Sequence, residues 1–292
     1  MKSKRYILKW ILPAAILLVV IGLIPFFTAA TYSFRAISYT DSRAKGQFIG
    51  LDNYRRLVFD QDFYNGFKVT FTYMVPALAA QAVLGLGIAL LMSNAAKRMK
   101  LIVPTMLLPT LLTPVVIGLI GLLSLNPDFG VLGRWLYKSG LITEAVLGSS
   151  TWALPAITIV DIWQWTPFVA VILLAGLLSL PKEPYEAAQV DGASAVQTFF
   201  RVTLPLLWPY LTVAMLIRVI DAFGLFDLIW VMTRGGPGTI TESISVYAYR
   251  NTFRYWNLGY GSALVMVIYV IMEMMVEFLY TALTRRVSEK QA

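Results

Sequence analysis

Six stretches of this chain are long and apolar enough to cross a lipid bilayer, and that limits what the chain can fold into. A helix needs about 20 mostly apolar residues to span the hydrocarbon core. Residues 10–32, 67–92, 101–125, 152–178, 206–232 and 260–283 each meet that condition. Only 14% of the 292 residues are charged and mean hydropathy is +0.69, whereas a soluble domain carries about 25% charged residues. The expected fold is an all-α integral membrane protein. It has six transmembrane helices, a five-helix core plus an N-terminal helix, and a short helix pair in one of the connecting loops.

The same composition removes several kinds of chemistry. There is no cysteine, so disulfides and thiolate metal sites are excluded. There is no histidine, the commonest general base and the commonest metal ligand. A membrane enzyme would then have to rely on Asp and Glu gathered at one depth, and the carboxylates here are scattered. The net charge of +8 reads as basic loops at a lipid surface rather than as a nucleic-acid footprint. No metal or nucleic-acid partner is expected. The first apolar run follows Lys2, Lys4 and Arg5 and is too long for a signal-peptide core of about 7–15 residues, so it reads as a retained first helix. Six spans put both termini on one side with loops 94–100 and 179–205. Basic residues are about twice as dense in those segments as in the opposite loops, with Lys97, Arg98 and Lys100 in one tight turn, which marks that side as the inner one. The expected organisation is an N-terminal helix and outer loop over 1–66, a membrane domain over 67–284, and a tail over 285–292.

One inner loop, 181–205, is polar although it lies between two apolar runs. Pro184 suits a first helical turn, and Glu186 sits near that N-terminus, where the helix dipole favours a carboxylate. Ala187 and Ala188 are strong helix formers whose small side chains let another backbone approach. Asp191 and Gly192 end the helix, since glycine accepts positive φ without strain. Ser194 and Gln197 have the spacing of a capping box for a second helix. On that helix Val196, Phe199, Phe200 and Thr203 follow helical spacing, predicting an apolar face against the membrane helices. Leu204-Pro205 then opens the next span. The shape is a lever held at a membrane surface; a plain amphipathic connector would share it.

Glu186-Ala187-Ala188, then Gly192, then Leu204-Pro205 closely resembles the EAA loop in membrane subunits of ATP-binding-cassette importers, placed between spans four and five as in six-span members of that family. Gly50-Leu51-Asp52-Asn53-Tyr54 resembles the segment before the family's core. Asp221 to Asp227 with Thr233-Arg234-Gly235-Gly236-Pro237, and Gly259 to Ala263, resemble the fifth span, its exit and the start of the last span in the carbohydrate branch. The similarity runs from about residue 10 to 285 and is to the first membrane subunit of the maltose and glycerol-phosphate importers. Arg234 departs from it, standing where a small or neutral residue is common.

The resemblance implies a permease in a bacterial or archaeal cytoplasmic membrane. Its implied partners are a second homologous permease subunit, two ATPase subunits and an extracytoplasmic solute-binding protein. Glu186, Ala187, Ala188, Asp191, Gly192, Leu204 and Pro205 would couple to the ATPase, with Glu186 facing a basic ATPase residue. Arg234, Gly235, Gly236 and Pro237 would lie where the binding protein docks. The solute would be a sugar or related polyol; the same machinery carrying another solute class is the nearest alternative. The chain has no Gly-x-x-x-x-Gly-Lys-Ser/Thr loop, so no cofactor is expected here and ATP and Mg would sit on the partner ATPase. An ion-driven secondary transporter would show inverted repeats, and none is evident.

A charge at the centre of a span costs about 2.5–3.5 kcal/mol on insertion scales and needs a reason. Arg218 and Asp221 share a face of the fifth span. They read either as an intrahelical pair holding the bundle or as a pathway wall that hydrogen-bonds a passing solute. Leu225 continues that face, while Phe223 and Phe226 turn away, so this face offers no ring for a sugar. Asp161 and Gln164 in span four, flanked by Trp163 and Trp165, face either the same cavity or a partner. Pro155 and Pro167 are candidate kinks in that span.

Overall fold

In a computed structural model, the described residues are 2–93, 99–142 and 144–288. The basic turn at 94–98 and residues 289–292, on which the orientation partly leaned, lie outside them. The chain divides into two compact units, one running to Tyr64 together with Tyr247–Ile271, the other Asn65–Val246 with the chain from Met272.

In the first unit, α1 (Lys2–Ser33) carries the first apolar run, and the most apolar window of its span Trp10–Ser33 has no residue buried within the chain, although Ser33 at its end is buried. A helix apolar all round and so little covered by its own chain has lipid as its solvent. The chain then makes an antiparallel hairpin, β1 (Arg35–Ile37) with β2 (Lys45–Phe48), and a short helix α2 (Asp52–Val58). The sequence marks this stretch only as an outer loop, and the hairpin within it was not expected. The Gly50–Tyr54 segment is the latch. Gly50 turns at φ 58°. Buried Asn53 donates to the carbonyls of Ser33 (2.9 Å) and Arg35 (3.1 Å), and the Tyr54 hydroxyl bonds Ser33 Oγ at 2.7 Å. Asp60 then caps α3 (Gln61–Ser93), accepting the N–H of Asp62 at 3.0 Å, and its carboxylate also accepts the hydroxyls of Tyr247 and Tyr260.

The second unit holds most of α3 and then α4 (Met99–Leu111), α5 (Pro114–Ser124), α6 (Val131–Lys138), α7 (Ala153–Ser179), α8 (Glu183–Val190), α9 (Ala195–Thr198), α10 (Leu204–Phe223), α11 (Asp227–Met232) and the start of α12 (Ile244–Tyr249). α13 (Leu258–Ser288) begins in the first unit and ends in the second. Its core joins α3, α7 and α10 through Ala89, Met92, Val169, Leu173, Leu207 and Ala214. Gly85 and Gly176 set the approach: a Cβ on Gly85 would lie 2.8 Å from Val169 Cγ1, and one on Gly176 would lie 2.6 Å from the Tyr210 ring.

Five helices are long and apolar enough to span a membrane, six if the bent pair α4–α5 counts as one. That pair corrects the third expected span. It is not continuous but turns by 90° between Leu111 and Pro114. Proline disfavours helical ψ in the residue before it, and Thr113 accordingly sits extended at ψ 147°. The fifth span is also shorter than 206–232: α10 stops at Phe223, and α11 begins separately at Asp227. α7 runs unbroken through Pro167.

Candidate functional site

The 181–205 loop folds as a doubly capped hairpin. α8 closes in a Schellman motif: Gly192, at φ 70°, donates to the Gln189 carbonyl (3.2 Å), and Ala193 donates to that of Ala188 (2.9 Å). Ser194 then opens α9 with a complete capping box. Its Oγ accepts the Gln197 N–H at 3.3 Å, and Gln197 Oε1 accepts the Ser194 N–H at 2.8 Å. The Tyr185 hydroxyl reaches Thr203 Oγ1 at 3.2 Å and ties the two arms. From α9 the chain passes through a π turn, Phe199–Thr203, in which Leu204 N–H reaches the Phe199 carbonyl five residues back, and so into α10. Pro205 therefore lies in the first turn of α10 without a break before it; it has no N–H to lose there.

No residue of α8 is buried. Glu186, Ala187, Asp191 and Gly192 are exposed and Ala188 half-buried. The expected apolar face on the second arm splits: Thr203 is buried and Phe199 half-buried, but Val196 and Phe200 are 67% and 61% exposed, and Val190 on α8 is 88% exposed. The one-residue π offset turns part of that face outward. The hairpin is fixed at both ends and leaves Val190, Val196 and Phe200 bare.

The second constellation is buried in the bundle. Arg218 on α10 is 0% exposed. Its Nη2 donates to both Asp161 oxygens on α7 (3.0 and 3.3 Å), its Nη1 pairs with Asp221 one turn on, and its Nε donates to Gln81 Oε1 on α3 at 3.0 Å. Gln81 in turn donates to Asp161 Oδ2 at 2.9 Å. The guanidinium lies over the Trp165 ring, 4.4 Å from its centroid, a cation–π contact that strengthens when desolvated. The Arg218–Asp221 pair is thus one edge of a three-helix network. Asp161 is wholly inside, while the Asp221 side chain stays 46% exposed. One guanidinium faces two carboxylates.

The structure separates residues that the sequence grouped. Gln164 is not in this network: its side chain donates to the Leu112 carbonyl (3.4 Å) and its own carbonyl accepts the Thr110 hydroxyl (2.7 Å), so it braces the bend between α4 and α5. Leu225 does not continue the Asp221 face, because α10 has ended two residues before it; Leu225 is buried and its carbonyl accepts Ser243 Oγ at 3.0 Å. The ring that was missing from the Arg218 face is supplied from α7 by Trp165. Gln81 went unread, although it is the single amide side chain in residues 67–92. Among the described residues no group of His, Cys, Asp and Glu gathers to hold a metal.

After α11 the chain turns sharply. Arg234 and Gly235 adopt φ 54° and 89°, and the turn is tied by Gly236 N–H to the Thr233 carbonyl (3.0 Å) and Thr241 Oγ1 to the Gly236 carbonyl (2.8 Å). Arg234 is exposed at its tip, with Gly236 and Pro237 half-buried beside it.

Spanning helices joined by a polar surface hairpin make this a multi-pass membrane protein. Residues 69–289 match the family described as binding-protein-dependent transport system inner membrane component, and the chain belongs to that family. It is 37% identical over 260 residues to the probable ABC transporter permease protein y4oQ of Sinorhizobium fredii, covering 88% of this chain and 84% of that one. It is 37% identical over 227 residues to the trehalose/maltose transport system permease protein MalF of Thermococcus litoralis (77% and 76% covered). It is 36% identical over 259 residues to the sulfoquinovosyl glycerol transport system permease protein SmoG of Agrobacterium fabrum (89% and 84% covered). Its fold matches a chain of a bacterial ABC transporter that imports the acidic polysaccharide alginate, with TM-score 0.83, 24% identity, and 97% of this chain and 96% of that chain covered. This chain is a multi-pass membrane permease.

Proposed function

We propose that the chain forms half of the translocation pathway of an ATP-driven importer for a sugar or related polyol, and that the 181–205 hairpin couples it to a separate ATPase chain. The observation that carries this reading is the hairpin itself, capped at both turns and exposed at Glu186, Ala187, Val190, Gly192 and Val196. In this reading Glu186 to Gly192 sit in a groove of the ATPase, Glu186 pairs with a cation there, and Leu204-Pro205 joins the hairpin to span five. The hairpin and both termini face the cytoplasm of a bacterial or archaeal cell. ATP and Mg bind the partner ATPase. A second permease subunit completes the pathway, and an extracytoplasmic binding protein delivers solute near Arg234, Gly235, Gly236 and Pro237. The sugar reading rests on the names of the trehalose/maltose and sulfoquinovosyl glycerol relatives.

Asp161, Arg218, Asp221 and Trp165 are the proposed pathway wall. Buried Asp161 holds Arg218 in place, and the Asp221 carboxylate, half in the open, accepts hydroxyl protons of a passing solute beside the Trp165 ring. Glu186→Lys tests the coupling. Membrane insertion and recovery of the chain should match wild type, while co-purification of the ATPase and solute-stimulated ATP hydrolysis should fall at least tenfold. Undiminished uptake by Glu186→Lys refutes the assignment.

A further inference from the structure

A cavity of about 710 Å³ opens between α5, α6 and α7. Among the described residues that line it, Ser124 alone carries a hydroxyl and none is charged. Beyond that hydroxyl and the indole N–H groups of Trp135, Trp152 and Trp163, water, a sugar or an ion would find no side-chain partners there. Ile159 and Trp163 of α7 line it, each two residues from Asp161 and so roughly 200° round the helix from the Arg218 joint. The cavity therefore lies on the side of α7 away from the proposed pathway. Leu141, Ile142, Val146 and Trp152 between α6 and α7 complete the lining; α5 and α7 belong to candidate membrane spans, which sets the mouth against a bilayer once the chain is in its membrane.

The third wall tells which molecule from that bilayer fits. α6 is short, with Leu132, Trp135 and Leu136 turned to the cavity at helical spacing, and Arg134 and Lys138 on its other side. Both cations are exposed, and the helix bears no carboxylate; Arg134 donates to the Asp128 carbonyl of the preceding turn. A helix with aromatic and aliphatic residues on one face and Lys and Arg on the other lies in the plane of a membrane interface and favours anionic lipid. The geometry points to a phospholipid site: one acyl chain of an anionic phospholipid fills the α5–α6–α7 cavity under Trp135 and Trp163, and its phosphate lies against Arg134 and Lys138. The site belongs to the permease in its membrane and is independent of which solute is carried.

The test is native mass spectrometry of the assembled transporter released from mild detergent containing equal amounts of phosphatidylglycerol and phosphatidylcholine. Wild type should retain phosphatidylglycerol over phosphatidylcholine by at least threefold. Ile159→Trp, which fills the cavity, should lose the retained lipid. The exposed double variant Arg134→Gln/Lys138→Gln should keep a lipid but hold the two headgroups equally. Equal retention of the two lipids by wild type overturns the proposal without reference to any variant. Because the chain has no cysteine of its own, a single Ile159→Cys can also be offered a short thiol cross-linker in the assembled complex. Efficient capture of a neighbouring protein subunit there overturns the lipid as occupant, and absence of capture agrees with it.

Discussion

Arg218 is where single side chains decide most. Its charge sits at 0% exposure and is held by two carboxylates, an amide and an indole face. Removing one member of a buried ion pair strands the other, at a cost of about 3–5 kcal/mol, whereas replacing both with apolar groups is often neutral. Arg218→Ala should therefore destabilise the chain by about that amount in thermal unfolding in detergent, and Arg218→Met/Asp161→Leu should recover most of it. A double variant no more stable than Arg218→Ala would refute the pairing. The sequence displayed these charges but not their company. Helical spacing reports neighbours on one helix, and Gln81 and Trp165 reach Arg218 from two others. Asp60 makes a second case at this scale. Burial pulls its carboxyl upward, yet the Tyr247 and Tyr260 hydroxyls and the N–H groups of Phe63 and Asp62 hold it below the ordinary 3.8. A group lowered on folding stabilises above its unfolded pKa and ceases to do so as pH falls through its folded one. The stability gap between wild type and Asp60→Asn should thus be full above about pH 5 and close as pH drops below 3.8, read as the difference in melting temperature. A gap constant down to pH 2 would show that the carboxylate charge is not what matters.

At the scale of elements, the hairpin was legible because caps are local chemistry. Asp191-Gly192 and Ser194 to Gln197 specify a helix end and a helix start within seven residues, and the bonds that form are the ones those residues call for. The environment of Gly192 is open, so a Cβ meets nothing within 4 Å and the penalty for Gly192→Ala is backbone strain alone, about 1 kcal/mol. Amide exchange over residues 183–203 should then quicken about fivefold with transport retained. Gly192→Pro cannot reach φ 70° and loses the N–H given to Gln189. It should leave insertion intact and abolish both uptake and solute-stimulated ATP hydrolysis. Unchanged exchange in either variant would mean the hairpin is held by contacts elsewhere. The bend between α4 and α5 was less legible. An apolar run of the right length reads as a span whatever its path, and Thr113-Pro114 signals a helix boundary without saying that the next segment departs at 90°. The end of α10 was missed similarly: apolarity continues to residue 232, but Gly224 interrupts the helix.

For the whole molecule, composition and run length conveyed the all-helical membrane fold, since lipid leaves a spanning backbone few alternatives. The small β1–β2 hairpin escaped because strands of three and four residues in a polar loop carry almost no pattern. Partners are a property of this scale too. On its own the chain should show no ATP hydrolysis above background, and co-expression with its ATPase should restore activity that depends on Glu186; hydrolysis by the isolated chain would end the proposed division of labour. The π turn at Phe199–Thr203 adds a mechanical corollary. It joins α9 to α10 without interruption, so Ala195–Phe223 is one continuous helix from the surface hairpin to the buried joint. At 1.5 Å per residue, Arg218 lies about 34 Å along it from the Ala195 end. Were that helix to turn as one body about its Ala195 end, about 10° would carry the guanidinium sideways by about 6 Å, twice its 3.0 Å distance from Asp161, which belongs to a different helix. A small rotation at the surface would then be enough to part the charges at the centre.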